Sequence, residues 1–471
     1  MRIYRVKRAL FFFYHTKKKI LFISIAAVVA LSLVTLSTVY FVSYFMYYRH
    51  SNPTREGVSS NFDHIQFWRE RFTREDFLYD FDYMFAALEA NFPSFGIIYR
   101  LHGVDMLEIA ESLRDRLETK PTDIDFEVFW NMLRDDFFYY ATPDRRRFPV
   151  GHLRLVSDDV RWWLLSQYTI DRMWGPASYF LSILRSPPAH PSYPYLIAQT
   201  HPFISSPNWD SYQTISTSII KEGEIGYLRI YRLWGGPSPD EWEQLSDFYS
   251  DIEDFEHLII DIRGNTGGSR YIFDDIVIRY LIDQPVHVRF HHFLLGGEHN
   301  IRFFQAAGAY RRIMLGALNE SAFNDERGHR LFAGNYVSSY VTEDIDKMSY
   351  RFLDSRMIRP WQPSRRSTFD GKIWLLIDEN NYSATLEAAA TLKEIGFATL
   401  VGETTDGGAG SPWHSNYIVL PNTGIIIRYD PTLVIDVRGR PLEYGIEPHY
   451  FNRPGMDALD TVLAMIVEGV Y

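Results

Sequence analysis

The 471-residue sequence contains no cysteine. This absence excludes a disulfide framework, a cysteine nucleophile and a metal site built on thiolates. The chain is nevertheless long enough to bury a large core and to form more than one domain.

Acidic residues outnumber basic ones beyond residue 50. The whole chain has a formal net charge of −11, whereas its first 50 residues contain eight lysines or arginines and no acid, so the remainder carries −19. Such an acidic balance argues against binding to nucleic acid, whose phosphates require positive partners.

The N-terminal region contains an uncharged stretch from Ile20 to Tyr48, preceded by a basic tail over residues 1–19. Its length is sufficient to cross a bilayer with some tilt. Because positive charge favours the cytoplasmic side, we expect a single-pass transmembrane anchor with the tail in the cytoplasm and the rest of the chain outside. A cleavable signal peptide is the alternative, but its apolar region would be shorter.

The remaining chain divides by pattern. Residues 62–150 show helical spacing of apolar residues, as in "FLYDFDYMFAALEANF", and predict a small helical domain. Residues 151–221 are proline-rich and predict an irregular connecting region. Strand and helix patterns alternate from residue 222 onward and predict an α/β core over 222–471.

Ser383 follows the apolar run "KIWLLID" and the turn-forming "ENNY", and it precedes the helix-forming "ATLEAAA". A serine at a helix start can be an N-cap, which satisfies free backbone N–H groups. It can also be a nucleophile on a strand-to-helix turn, with the next N–H, that of Ala384, directed at an oxyanion. The stretch alone leaves both readings open.

A second strand, "LIIDI", runs into the glycine-rich turn "RGNTGGS". This turn lacks the lysine and the spacing of nucleotide-binding loops. Glycines also let the backbone approach a reacting carbonyl closely, so the N–H of Gly267 or Gly268 could donate to an oxyanion. The two turns together would supply the halves of an acyl-transfer site.

Four motifs, "DIRGNTGG", "ENNYSATLEAA", "ATLVGETTDGG" and "LEYGIEP", resemble in order and spacing those of the C-terminal processing peptidases, the tail-specific serine proteases of family S41. The resemblance implies a crotonase-like α/β core, hydrolysis of peptide bonds, and no metal or cofactor. It implies Ser383 as nucleophile, with Ala384, Gly267 and Gly268 forming the oxyanion hole.

The general base that would activate Ser383 must differ from the lysine of the family's Ser-Lys dyad, because Gly408 occupies the position of that lysine. Lys393 lies two to three turns along the serine helix, too far to reach the hydroxyl. The chain is therefore similar to the tricorn-like branch, which uses histidine. His152 in "VGHLRL" matches that branch's base, and His414 is the local rival.

A carboxylate should orient the imidazole. The resemblance implies Glu443 in "RPLEYGIEP" for this role, with Glu387 and Glu403 as nearby alternatives. Many family members also carry a PDZ domain, but residues 155–220 show no clear carboxylate-binding loop, so we expect none.

The prediction is thus a serine peptidase anchored in the cell (inner) membrane and acting on extracytoplasmic proteins or peptides. A catalytically inactive binding protein on the same fold is the first alternative, and the missing lysine favours it. An acyl hydrolase acting on esters is the second, since an oxyanion hole does not distinguish the acyl group it holds.

Overall fold

The computed structural model describes residues 72–141, 149–156, 213–301, 347–348, 350–361, 369–408, 415–436 and 440–470. The predicted tail and anchor, most of the connecting region 151–221, and His414 lie outside these residues. Within the described part, no helix has the length and apolar character needed to span a membrane.

The helices are α1 Arg74–Asn91, α2 Phe95–His102, α3 Met106–Glu118, α4 Phe126–Asp136, α5 Pro239–Asp251, α6 Arg270–Phe273, α7 Arg279–Leu281, α8 Ala384–Glu394 and α9 Ala458–Glu468. The strands are β1 Arg154–Val156, β2 Ile215–Lys221, β3 Ile225–Ile230, β4 His257–Asp261, β5 Val286–Leu294, β6 Tyr350–Ile358, β7 Lys372–Ile377, β8 Thr399–Gly402, β9 Asn416–Val419, β10 Ile426–Tyr429, β11 Leu433–Ile435 and β12 Tyr450–Phe451.

Local chemistry fixes where the long helices begin. Thr73 and Asp76 form a capping box at the start of α1, and Ser238 and Glu241 form another at the start of α5. Asp105 accepts from two backbone N–H groups at the start of α3. These side chains satisfy the N–H groups that a first helical turn leaves unpaired.

A six-stranded sheet in the order β12-β8-β7-β4-β3-β2 forms the centre of the molecule. All neighbouring strands are parallel except β2, which is antiparallel to β3. Helices cover both faces, with α5 and α8 on one side and α9 on the other. This arrangement explains why β4 and β7 read as continuous apolar runs, and it confirms the predicted α/β core.

The six-stranded sheet starts earlier in the sequence than predicted, because β2 precedes residue 222 and pairs with β3.

The helices α1 to α4 pack on a separate antiparallel sheet in the order β1-β10-β9. One face of this small sheet, with Leu155, Ile427 and Ile418, is buried against the helices. Because strand side chains alternate between faces, the polar residues between these apolar ones lie on the other face of the sheet.

Candidate active site

The turn that carries Ser383 is fixed by its neighbours. Buried Asn381 donates to the carbonyl of Ile262 and accepts from the N–H of Asp378 at 2.9 Å. Thr385 accepts from the N–H of Tyr382 at 3.0 Å and lies 2.8 Å from the carbonyl oxygen of Asn265. Strand β7, the serine turn and the glycine-rich turn are thus tied into one unit.

Ser383 does not cap the helix that follows it. Its side chain makes no capping hydrogen bond, and its backbone has φ 59° and ψ −118°. This conformation is unfavourable for a residue with a Cβ atom and is typical of a sharp strand-to-helix turn that exposes a nucleophile. The geometry therefore favours the nucleophile reading over the N-cap reading.

The glycine-rich turn lies directly against Ser383. A Cβ atom on Gly267 would be 2.5 Å from the carbonyl oxygen of Tyr382 and 2.9 Å from the nitrogen of Ala384, so only glycine fits there. The N–H of Gly267 donates to Asn265 Oδ1 at 2.9 Å and is thus engaged. Within the described residues, the N–H groups of Gly268 and Ala384 have no partner, which leaves these two for an oxyanion.

His152 lies against Tyr382, the residue that precedes Ser383. It ends the short 3-10 helix Val150–His152, and its ring lies against the ring of Tyr382, with centroids 4.6 Å apart. The Tyr382 hydroxyl donates to the carbonyl of Pro149 at 3.0 Å. The residue before the candidate nucleophile therefore contacts both the histidine and the turn that presents it.

Ser383 and His152 share a further property. Among the described residues they are the two non-glycine residues with positive φ, 59° and 53° respectively. Such backbone strain costs on the order of 1–3 kcal/mol per residue and persists where the surroundings enforce it.

Asp430 is the carboxylate that contacts the histidine. His152 Nδ1 lies 2.5 Å from Asp430 Oδ2. Asp430 is fully buried, its N–H donates to the carbonyl of Gly151 at 2.7 Å, and its Oδ1 accepts from the Ser415 hydroxyl at 2.6 Å. Burial lowers the pKa of His152 below the usual 6.5, and the charge of Asp430 opposes this shift.

Glu443 contacts the backbone of Gly151 and, within the described residues, makes no contact with the imidazole. Its Oε2 accepts from the N–H of Gly151 at 3.4 Å, and burial, followed by the charge of Asp430, raises its pKa to about 8. At neutral pH the Glu443 carboxyl is therefore protonated. The contact that the sequence predicted for Glu443 is made by Asp430.

The other carboxylates named from the sequence lie elsewhere. Buried Glu387 is 3.5 Å from the guanidinium of Arg270, and Glu403 accepts from Asn452 at 3.2 Å. Neither contacts His152 in the described part of the chain.

Residues 224–451 match the model of peptidase family S41. This region of the chain belongs to peptidase family S41. The membership confirms the predicted family and the predicted α/β peptidase fold.

Solved structures with similar backbones include mature CPAF complexed with lactacystin, with 16% identity, a TM-score of 0.49, and coverage of 84% of this chain and 99% of that one. The photosystem II D1 C-terminal processing protease shows 12% identity, a TM-score of 0.38, and coverage of 81% and 93%. A lipoprotein from Streptococcus agalactiae shows 11% identity, a TM-score of 0.38, and coverage of 83% and 96%. Among curated protein sequences, none matches the chain.

The position of the S41 dyad lysine cannot hold a side chain in this structure. Gly408 has φ 98°, and a Cβ atom there would be 2.2 Å from the ring of Tyr382. Lys393, the other lysine considered, donates its ammonium to the carbonyl of Glu447 at 2.5 Å. The Tyr382 ring thus occupies the space that a residue 408 side chain would enter.

Proposed function

We propose that this S41 family member is a serine peptidase in which Ser383 is the nucleophile, His152 the base and Asp430 the carboxylate that orients the imidazole. The strongest support is that the two residues with a strained backbone lie in turns that contact the same side chain. The two strained non-glycine residues of the described chain are a serine and a histidine, and Tyr382 joins their turns.

In the proposed reaction, His152 Nδ1 faces Asp430, which leaves Nε2 to take the proton of the Ser383 hydroxyl. The serine oxygen attacks the substrate carbonyl, and the N–H groups of Ala384 and Gly268 bind the oxyanion. Each such donor is worth about 3 kcal/mol in the transition state. The imidazolium, stabilised by Asp430, then protonates the leaving amine, and water hydrolyses the acyl-enzyme by the same steps in reverse.

The state of the histidine suits this role. Because burial lowers the pKa of His152, the ring is neutral at pH 7 and can accept a proton. Protonated Glu443 would add no second negative charge near Asp430, so the imidazolium would be stabilised by one carboxylate. Glu443 would act through the Gly151 N–H, which holds the turn that presents His152.

We also propose that the chain is anchored by residues 20–48 in the cell (inner) membrane and acts on extracytoplasmic proteins or peptides. The uncharged stretch and the basic tail before it support this topology. Substrate recognition would then not involve a PDZ domain, because residues 155–220 show no clear carboxylate-binding loop.

A catalytically inactive binding protein is the second candidate, favoured by glycine at position 408. A fluorophosphonate probe separates the two. We expect Ser383 to be labelled at pH 7. Because burial lowers the pKa of His152, labelling should fall only at a pH below the ordinary 6.5, when the imidazole gains its proton.

Ser383→Ala and His152→Ala should abolish labelling, whereas the matched control Ser250→Ala, on the exposed side of α5, should not change it. Lys393→Ala should also label normally. A folded wild-type chain that takes up no probe but binds peptides and releases them unchanged would favour the binding protein.

A further inference from the structure

Two arginines lie beside the His152–Asp430 pair on the same face of the small sheet. Arg154 of β1 is opposite Arg428 of β10, and the same register continued by two residues places His152 opposite Asp430. Since alternate residues share a face, the arginine row is adjacent to the catalytic row, about 7 Å along the strands. Tyr417 continues the arginine row on β9.

Within the described residues, no carboxylate pairs directly with either of these arginines. Arg154 makes no hydrogen bond or ion pair there, and its Nε is buried without a partner. Arg428 donates from Nε to the Ser415 hydroxyl at 2.8 Å and has no carboxylate partner among these residues. Burial, with the neighbouring charge of Arg428, lowers the pKa of Arg154 to about 10.

The charge of Asp430 acts on Arg154 from a distance, but its carboxylate oxygens are directed at Ser415 and His152, so it pairs directly with neither arginine. Two guanidinium groups held side by side without an acid are costly in a protein interior. The planar guanidinium fork fits a carboxylate better than any other common group in a peptide.

We propose that Arg154 and Arg428 form a subsite that binds a carboxylate of the substrate. This inference rests on the proposed peptidase function. The histidine protonates the leaving amine, so the adjacent subsite lies on the leaving-group side of the scissile bond. An extended peptide advances about 3.3 Å per residue, which places the bound carboxylate about two residues beyond that bond.

The carboxylate has two possible sources, an acidic side chain or the free C-terminus of the peptide. Four decapeptide substrates distinguish the two sources. They have Glu or Gln two residues after the scissile bond, a C-terminus that is free or amidated, and otherwise uncharged side chains. The scissile bond is first located by mass spectrometry on a defined peptide mixture, and kcat/KM is then measured with the full chain.

We expect wild type to prefer one carboxylate-bearing peptide over its neutral partner by roughly 10- to 100-fold, mainly through KM. Arg154→Met should remove this preference, and Arg154→Lys should restore part of it by returning the charge without the fork. Arg453→Met, which loses an exposed ion pair with Glu468, is the matched control and should keep the preference.

Cleavage of all four peptides within about threefold of one another in wild type would overturn the subsite while leaving the peptidase proposal intact. An unchanged preference in Arg154→Met would overturn it equally. If no peptide is cleaved, the proposed function fails, and binding of fluorescein-labelled forms of the same peptides to wild type still decides the subsite. Equal affinity for carboxylate-bearing and neutral peptides would then count against it.

Discussion

Asp430→Asn tests the proposed active site most directly. The asparagine can keep the bond from Ser415 by placing its amide oxygen where Oδ1 lies, so the surrounding structure should be retained. Its amide NH₂ then faces His152 Nδ1, where the carboxylate lies at 2.5 Å in the wild type. The imidazole must consequently accept at Nδ1 and carry its proton at Nε2.

A proton at Nε2 removes the base that the serine needs. In Ser-His-Asp enzymes the same change of tautomer lowers kcat by about 10⁴ while leaving the geometry intact. We expect a loss of 10³ to 10⁴ here, or about 4 to 5 kcal/mol of transition-state stabilisation, with KM little changed. The charge of Asp430 raises the pKa of His152 against the effect of burial, so its removal should shift the acid limb of activity to lower pH.

The assay is the pH profile of kcat/KM on a fluorogenic peptide, supported by the rate of fluorophosphonate labelling. Glu443→Gln is the matched control, because Glu443 is also a buried carboxyl and accepts from the N–H of Gly151. Because its pKa is about 8, the wild-type group already carries a proton at pH 7, and the amide should cost less than about fivefold. The reverse result, with Asp430→Asn active and Glu443→Gln inactive by orders of magnitude, would refute this reasoning.

Two further predictions concern stability and topology. The pKa of Glu443 is raised to about 8 in the folded chain from its ordinary 4.5, so the stability linked to its proton is complete below pH 4.5 and is lost as the pH rises toward 8. Glu443→Gln cannot titrate, so it should remove up to ~4 kcal/mol of this pH dependence of the free energy of unfolding. The Tm of the variant should therefore fall less than the Tm of wild type between pH 5 and 8. Parallel curves of Tm against pH for the two proteins would contradict this prediction. In intact cells, with any outer membrane permeabilised, external protease should digest the large domain and spare the N-terminal tail, because the positive charges precede residues 20–48. A large domain protected until the inner membrane is lysed would contradict this orientation.

Local sequence patterns predict the parts of the site that depend on local structure. The run "KIWLLIDENNYSATLEAAA" contains the strand, the turn and the helix around Ser383, and "GNTGG" contains the glycines of the close approach. Both elements follow from short-range preferences, so the sequence is sufficient to predict them. The α/β core follows in the same way from the alternation of strand and helix patterns.

Asp430 has no comparable local signal. It ends the apolar strand "IIIRYD", which predicts a strand but not the pairing of that strand. Its role depends on the register between β1 and β10, two segments far apart in sequence, and that register places it against His152. Glu443 was predicted instead because it belongs to a recognisable motif.

The strain at Ser383 gives the last prediction. At φ 59° and ψ −118°, a residue with a Cβ atom is strained and glycine is not, so Ser383→Gly should relieve strain that Ser383→Ala retains. After subtraction of the entropy that glycine adds to the unfolded chain, we expect Ser383→Gly to be more stable than Ser383→Ala by about 1 kcal/mol, measured by chemical denaturation. At exposed Ser250 within α5 the order should reverse, with glycine less stable than alanine by about 1 kcal/mol, because glycine is a poor helix former. Both Ser383 variants should be inactive, so the glycine variant would gain stability as it loses the nucleophile. If alanine were more stable than glycine at Ser383 as well as at Ser250, the backbone at Ser383 would be relaxed, and its conformation would not support a catalytic role.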